Sequence, residues 1–320
     1  MAANVGPVKG VLLCLLSAVG YATLGVFGKL CYDADVGVLT LLTIRFGLAA
    51  AGFAVLTRAV ERRSPPRAPL GRHVVLTALG MGALGFSVQS GLYFGALGHI
   101  DLSLLSLLLY TYPAFVTIAA VALGREVVTR RRVIALTAAS AGVALVLIGA
   151  GGSDADAIGV AMAVGAALVY TTYILIADGV IDDAPPLPFS TLIMTGAFAT
   201  LLVAALVSGE LDFGFAPEAW GWLAAMAVCS TIVPVLAFFA GLRHVGPSNA
   251  SILSTCEPPV TVLLALLVFG ERLGPVQLAG GALVVSAVVL LQAAVRRETA
   301  APAPVPAPAA ADRVPHLIPG

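Results

Sequence analysis

Ten long apolar runs, separated by short polar segments, fill most of the 320-residue chain. An apolar helix needs about 20 residues to cross the hydrocarbon core of a bilayer. The strands of a membrane barrel would instead give alternating segments of about ten residues. The sequence therefore predicts an all-α integral membrane protein. Its ten transmembrane helices are expected at roughly 8–31, 36–57, 74–97, 102–123, 132–150, 157–177, 189–208, 219–241, 247–269 and 275–295.

The composition points to the same class of protein. Hydrophobic residues make up 59% of the chain and charged residues 11%, whereas a soluble domain carries about 25% charged residues. The formal net charge is zero, which gives no support for a nucleic-acid partner. The four cysteines lack metal-type spacing, and the sequence contains no nucleotide-binding or hydrolase motif. We therefore expect no metal, no cofactor and no enzymatic activity.

Lysine and arginine in the short loops predict the orientation of the chain. With the N-terminus in the cytoplasm, fourteen of these residues lie on the cytoplasmic side and two, Lys29 and Arg272, on the other side, leaving Arg45 inside a helix. Both termini are therefore predicted to be cytoplasmic, in a bacterial plasma membrane. The Pro/Ala-rich segment 298–320 is expected to be a disordered cytoplasmic tail.

The two halves of the chain resemble each other. An offset of 145 residues aligns Ser103 with Ser248, Pro113 with Pro258, His99 with His244 and Glu126 with Glu271, and an offset of 149 aligns Tyr21 with Tyr170. Each copy holds five predicted helices, and five is odd, so the second copy enters the membrane from the opposite side. The sequence thus predicts two inverted five-helix repeats, at 1–150 and 151–297, which is a common plan of secondary transporters.

Three short segments resemble motifs of the drug/metabolite transporter superfamily, EamA type. They are Ile44-Arg45-Phe46, LLLYTYPAFVTIAAVALGRE (107–126) and ILSTCEPPVTVLLALLVFGERL (252–273). The resemblance implies a transporter of small metabolites, often an exporter of amino acids or related compounds. The superfamily also contains drug, sugar-phosphate and nucleotide-sugar carriers. Met194 stands where Arg45 would repeat, so the two halves are not equivalent.

Two ionisable residues lie within predicted helices, where charge is costly and commonly faces a cavity or a partner. Glu257 could accept a proton, bind a substrate amine or pair with a cation; the alternative is a helix-packing role. Arg45 could bind a carboxylate or form a permanent structural ion pair.

Polar residues at helical spacing are further candidates for substrate binding, although each could equally serve helix packing or the membrane interface. They are Gln89, Tyr93, Ser106, Tyr110, Tyr170, Tyr173, Ser251 and Thr255. Prolines within predicted helices free backbone carbonyls and are candidate hinges. These are Pro113, Pro234, Pro258 and Pro259.

The sequence thus predicts a secondary transporter that moves a small polar metabolite by alternating access, an exporter of amino acids or related compounds. Its expected partners are the substrate, the lipid bilayer and, if Glu257 titrates, a coupling proton. Two alternatives are a non-transporting membrane scaffold and an intramembrane lipid-modifying enzyme. Drug-like amines and sugar phosphates are the alternative substrates.

Overall fold

The fold was analysed in a computed structural model that describes residues 5–63, 70–124, 129–150, 156–178, 185–245 and 253–299. These residues form helices and connecting turns, with no strand among them. The α-helices are α1 (Val5–Ala22), α2 (Leu24–Asp33), α3 (Val38–Glu61), α4 (Arg72–Gly80), α5 (Ser87–Leu97), α6 (Leu102–Leu109), α7 (Tyr112–Ala122), α8 (Arg130–Ala150), α9 (Ala157–Asp178), α10 (Pro186–Ser208), α11 (Ala219–Ala227), α12 (Val233–Val245), α13 (Glu257–Phe269) and α14 (Pro275–Thr299). Two π-helical segments, π1 (Met81–Phe86) and π2 (Val228–Ile232), join α4 to α5 and α11 to α12.

The outer surface of the helical bundle is apolar. Leu84 is 71% exposed and Val207 is 83% exposed, while Phe46, Phe53 and Phe94 are fully buried in the centre. Water would disfavour so many exposed aliphatic side chains, whereas lipid chains would solvate them. The bundle is therefore built to be surrounded by hydrocarbon.

Seven helical units of the described residues are long and apolar enough to cross a membrane. Three shorter apolar helices, Val133–Val146, Glu257–Phe269 and Pro275–Leu290, fall where three further spans are expected. The last helix continues to Thr299, two residues into the predicted tail. The rest of that tail, 300–320, lies outside the described residues, as do segments 64–69 and 125–128, which hold Arg67 and Arg125.

Helix packing follows the internal repeat. α1 packs on α12, and α9, which is the counterpart of α1, packs on α5. A Cβ atom added to Gly10 would lie 2.5 Å from Cβ of His244, and one added to Gly159 would lie 2.7 Å from Cβ of His99. The sequence offsets align Gly10 with Gly159 and His99 with His244. Small residues thus allow the same close helix approach in both halves.

The π segments also occupy corresponding places. The hydroxyl of Ser87, the first residue after π1, donates to the Gly82 carbonyl in π1 at 3.0 Å, and the Thr231 hydroxyl in π2 donates to the Met226 carbonyl in α11 at 3.3 Å. Each hydroxyl therefore bonds the carbonyl five residues earlier, which is the spacing of a π-helix. Such single turns are common at functional sites.

Candidate functional site

Two repeat-related helical units are each broken just before a proline in the middle of the bundle. The first break separates α6 from α7 at Tyr110 and Thr111, and the second precedes α13 at Glu257. Pro113 lies in the first turn of α7, and Pro258 and Pro259 lie in the first turn of α13. Proline is well tolerated there because the first-turn N–H groups have no helical acceptor. The prolines therefore define where each second half-helix begins.

Tyr110 and Glu257 meet between these breaks. The Tyr110 hydroxyl lies 2.8 Å from Oε2 of Glu257, to which it donates, and 3.1 Å from the Ser254 carbonyl oxygen. Glu257 is the first residue of α13, where the positive end of the helix dipole favours a carboxylate. Its side chain is half-buried, so it retains contact with open space inside the bundle.

A row of tyrosines extends from Glu257 across the bundle. Ring centroids lie 5.8 Å apart for Tyr110 and Tyr112, 4.8 Å for Tyr112 and Tyr170, and 5.9 Å for Tyr170 and Tyr173. We call these four residues the tyrosine row. Tyr112 is the repeat counterpart of Glu257, so one half supplies an aromatic ring where the other supplies a carboxylate.

Arg45 lies beyond the other end of the tyrosine row. The row continues from Tyr173 to Phe86 at 5.7 Å and from Phe86 to Phe46 at 5.4 Å. The Arg45 guanidinium carbon lies 4.8 Å from the Phe46 centroid, within cation–π range. Its Nε donates to Oγ1 of Thr231 at 3.2 Å. Arg45 is 3% exposed, and no carboxylate of the described residues lies within ion-pair distance of it.

The other predicted residues fall into three groups. Tyr93 is buried, and its ring lies 5.2 Å from that of Phe94, which in turn lies 5.7 Å from the Arg45 guanidinium carbon, so Tyr93 lies close to the Arg45 end of the site. Ser106 and Thr255 are buried within the broken units, and half-buried Gln89 accepts a 3.3 Å bond from the Ser90 hydroxyl. Ser251 lies outside the described residues.

Pro234 stands apart from the other prolines. It lies near the start of α12, directly after π2, and a Cβ atom added to Gly20 of α1 would lie 2.5 Å from its ring. It therefore packs against α1 beside the central site.

Sequence reasoning missed Tyr21 as a site residue. Tyr21 is half-buried and lies in the neighbourhood of Tyr170, Glu257 and Arg45. It precedes the break between α1 and α2 at Thr23, whose hydroxyl lies 2.7 Å from the Ser230 hydroxyl in π2. The repeat offers a signal that could have found it, because Tyr21 aligns with the candidate Tyr170.

An apolar cleft of about 460 Å³ opens beside the tyrosine row. It lies between α9 and the α4–π1–α5 unit, and Tyr173 is one of its walls. The remaining lining residues are Thr77, Gly80, Met81, Leu84, Gly85, Val88, Val169, Thr172 and Ile176. Such a cleft can accommodate a hydrocarbon group close to the polar site.

The family model for the EamA-like transporter family matches the chain twice, at residues 8–148 and 157–292. The chain belongs to the EamA-like transporter family. It is an integral membrane protein, and the family indicates membrane transport. The resemblance seen in the sequence motifs is thereby confirmed.

Curated relatives carry the same general description. The chain is 27% identical over 278 residues to an uncharacterized transporter of Archaeoglobus fulgidus, which covers 86% of this chain and 93% of the relative. It is 25% identical over 210 residues to the uncharacterized transporter YcbK of Bacillus subtilis, covering 63% and 67% of the two chains. A solved crystal structure shares the fold, with a TM-score of 0.59 at 17% identity, covering 90% of this chain and 99% of that one.

Proposed function

We propose that this EamA-like protein is a secondary transporter of small zwitterionic metabolites, amino acids or related compounds, and that it exports them by alternating access. Ten spans in two inverted repeats would place both termini in the cytoplasm of a bacterial plasma membrane. The repeated close packing at Gly10 and Gly159 and the paired π segments support the repeat. The arginine-rich loops support the orientation.

The hydrogen bond between Tyr110 and Glu257 carries this proposal. Tyr110 belongs to the first repeat and Glu257 to the second, and both lie at helix breaks. A carboxylate at membrane depth is costly and commonly marks a substrate or ion path. Movement of one repeat against the other would change the surroundings of Glu257, which is the requirement for a site that opens to each side in turn.

Glu257 at one end of the tyrosine row and Arg45 beyond the other give the site one acid and one base, a balance that favours a substrate without net charge, such as a zwitterion. Glu257 can bind an ammonium group or a proton, and Arg45, which has no described carboxylate partner, can bind a carboxylate. The tyrosine row between them offers aromatic faces. A sugar phosphate would instead call for several cations around one site, whereas Arg45 is the one cation that the described site residues provide.

Counterflow in proteoliposomes tests the proposal. The vesicles are loaded with an unlabelled amino-acid mixture, and uptake of radiolabelled amino acids is followed at several pH values. Glu257→Gln should abolish counterflow or remove its pH dependence while the protein stays folded. Glu218→Gln, which removes an exposed carboxylate at the start of α11, is the matched control and should behave as wild type. Equal counterflow for wild type and Glu257→Gln across the pH range would rule out this role.

A second candidate substrate class is the amphipathic amine, and the apolar cleft beside Tyr173 favours it. Glu257 would bind the amine, while the cleft would take the apolar group. Narrowing the cleft with Gly85→Leu should weaken transport of a lipophilic amine dye more than counterflow of small amino acids. Equal effects on both would remove the support for this candidate.

A further inference from the structure

Glu271 collects four hydrogen bonds at one end of the bundle. Its carboxylate accepts from Nζ of Lys29 at 2.9 Å, from the backbone N–H groups of Leu102 at 3.2 Å and Ser103 at 3.0 Å, and from Oγ of Ser103 at 2.9 Å. Its side chain is 6% exposed. Four donors around a nearly buried carboxylate form a strong, charge-assisted contact. We call Lys29, Leu102, Ser103 and Glu271 the Glu271 cluster.

The cluster joins the outer ends of the half-helices α6 and α13 to the middle of α2, and the inner ends of all three reach the candidate site. α6 begins in the cluster at Leu102 and ends beside Tyr110, whereas α13 begins at Glu257 and ends just before Glu271. α2 runs from the break after Tyr21 towards Lys29, whose Nζ lies 4.7 Å from the Phe269 centroid. α13 packs on both α6 and α2. The 13 residues of α13 span about 20 Å, so the cluster lies far from Glu257.

The cluster also crosses between the repeats. Lys29, Leu102 and Ser103 belong to the first repeat, and Glu271 belongs to the second. While the four bonds last, α2 and α6 cannot separate from α13 at this end. A path for substrate from Glu257 between α2, α6 and α13 would therefore be closed at the Glu271 cluster.

The sequence repeats part of this arrangement in the other half. An offset of 145 residues aligns Glu126 with Glu271 and Ser248 with Ser103, both outside the described residues, and an offset of 149 places Asp178 opposite Lys29. The second copy thus has the glutamate and the serine but not the lysine.

We infer that Glu271, held by Lys29 and the start of α6, is a positioning residue that keeps the transport path closed at this end. This inference rests on the proposed alternating-access function. It goes beyond that function because it assigns the closing contact to named residues remote from the substrate.

Cys256, which precedes Glu257, can report on access to the site. Cys14 and Cys31 are fully buried, and Cys229 is exposed, so Cys229→Ser leaves Cys256 as the reactive thiol among the four. A membrane-impermeant maleimide is added to intact cells and to inverted membrane vesicles. A Glu210→Cys variant shows which of the two preparations exposes the Lys29 side of the membrane to the maleimide. Glu210 lies in the 209–218 connection, which is hydrogen-bonded to Ala34 at the end of α2 and is therefore on the same side as Lys29.

Opening the Glu271 cluster should raise labelling of Cys256 from the Lys29 side. We expect an increase of about tenfold for Glu271→Gln, the effect of losing one bond to a charged group. Ser103→Ala and Lys29→Met should act in the same direction. Glu218→Gln, which removes an exposed carboxylate on the Lys29 side, should leave both rates unchanged.

Unchanged labelling from the Lys29 side in Glu271→Gln, Ser103→Ala and Lys29→Met would overturn the inference. An equal rise from both sides would overturn it as well, because it would show a general loosening of the fold. Ser103→Ala removes one of the four bonds and keeps the charge pair, so it remains informative if Glu271→Gln fails to fold. The assay needs no substrate. Failure of the zwitterion proposal in the counterflow experiment can therefore be distinguished from failure of this inference in the labelling experiment.

Discussion

The Tyr110 hydroxyl donates a 2.8 Å hydrogen bond to Glu257, and this bond connects the breaks in two repeat-related helical units. Tyr110 lies between α6 and α7, and Glu257 is the first residue of α13. The bond therefore joins the two breaks directly. It gives the two repeats a shared polar contact at the position where the candidate site lies.

Removing the Tyr110 hydroxyl tests this shared contact. Tyr110→Phe keeps the ring contact with Tyr112 and loses the bond to Glu257, so the free energy of unfolding should fall by about 1 kcal/mol. The pH dependence of amino-acid counterflow should also shift, because the partner of the carboxylate has changed. Tyr32→Phe is the matched control, since its hydroxyl donates to the Phe94 carbonyl at 2.6 Å. It should lower stability without changing that pH dependence; the same pH shift in both variants would contradict the prediction.

Replacing Arg45 separates its stacking from its charge. Arg45→Lys keeps the charge but loses the planar contact with Phe46 and the Nε bond to Thr231, so we expect a loss of about 1–3 kcal/mol in unfolding free energy. Denaturant unfolding in detergent measures it. A double-mutant cycle with Thr231→Val should show coupling of about 0.5 kcal/mol or more. Strict additivity of the two substitutions would show that the Nε bond contributes nothing.

The positions of the helical units could be predicted from the sequence, but their interruptions could not. An apolar run shows which residues avoid water, but it does not distinguish a continuous α-helix from a π-helix or a broken helix. The breaks before α7 and α13 lie just before Pro113 and Pro258, because proline fits the first turn of a helix. The break at Thr23 carries no proline, and nothing in the apolar run marked it.

The charged candidates were easier to find than their partners. Glu257 and Arg45 are conspicuous because ionised groups are rare at membrane depth. The hydroxyl partner of Arg45, Thr231, is one of many in apolar runs, and the contact spans 186 positions. Glu271 was recognised as part of the repeat but given no role, because two of its four donors are backbone N–H groups, which no side-chain pattern displays.

Close packing between α10 and π1 should be sensitive to one added methyl group. A Cβ atom at Gly82 would overlap the Ile193 carbonyl oxygen, so Gly82→Ala should cost about 1–3 kcal/mol in unfolding free energy. Gly91→Ala is the matched control in α5, where an added Cβ atom would have no atom within 4 Å. It should leave stability unchanged or raise it, because alanine favours helix. Equal unfolding midpoints for the two variants would contradict the close approach.

The Glu271 cluster should make stability depend on pH in the acid range. Glu271 follows α13 and lies outside the membrane-spanning segment. Burial alone would raise the pKa of its carboxyl, but the bonds from Lys29 and Ser103 outweigh this effect and hold the pKa below its ordinary value of 4.5. The folded state then binds its proton less readily than the unfolded state. The stabilisation is therefore fully present above pH 4.5 and is lost as the pH falls through the lower folded-state pKa.

Thermal unfolding midpoints of the wild type should fall more steeply below pH 4.5 than those of Glu271→Gln, whereas Glu218→Gln should keep the wild-type slope. Parallel slopes for wild type and Glu271→Gln would show that this carboxylate is not stabilised by its four donors.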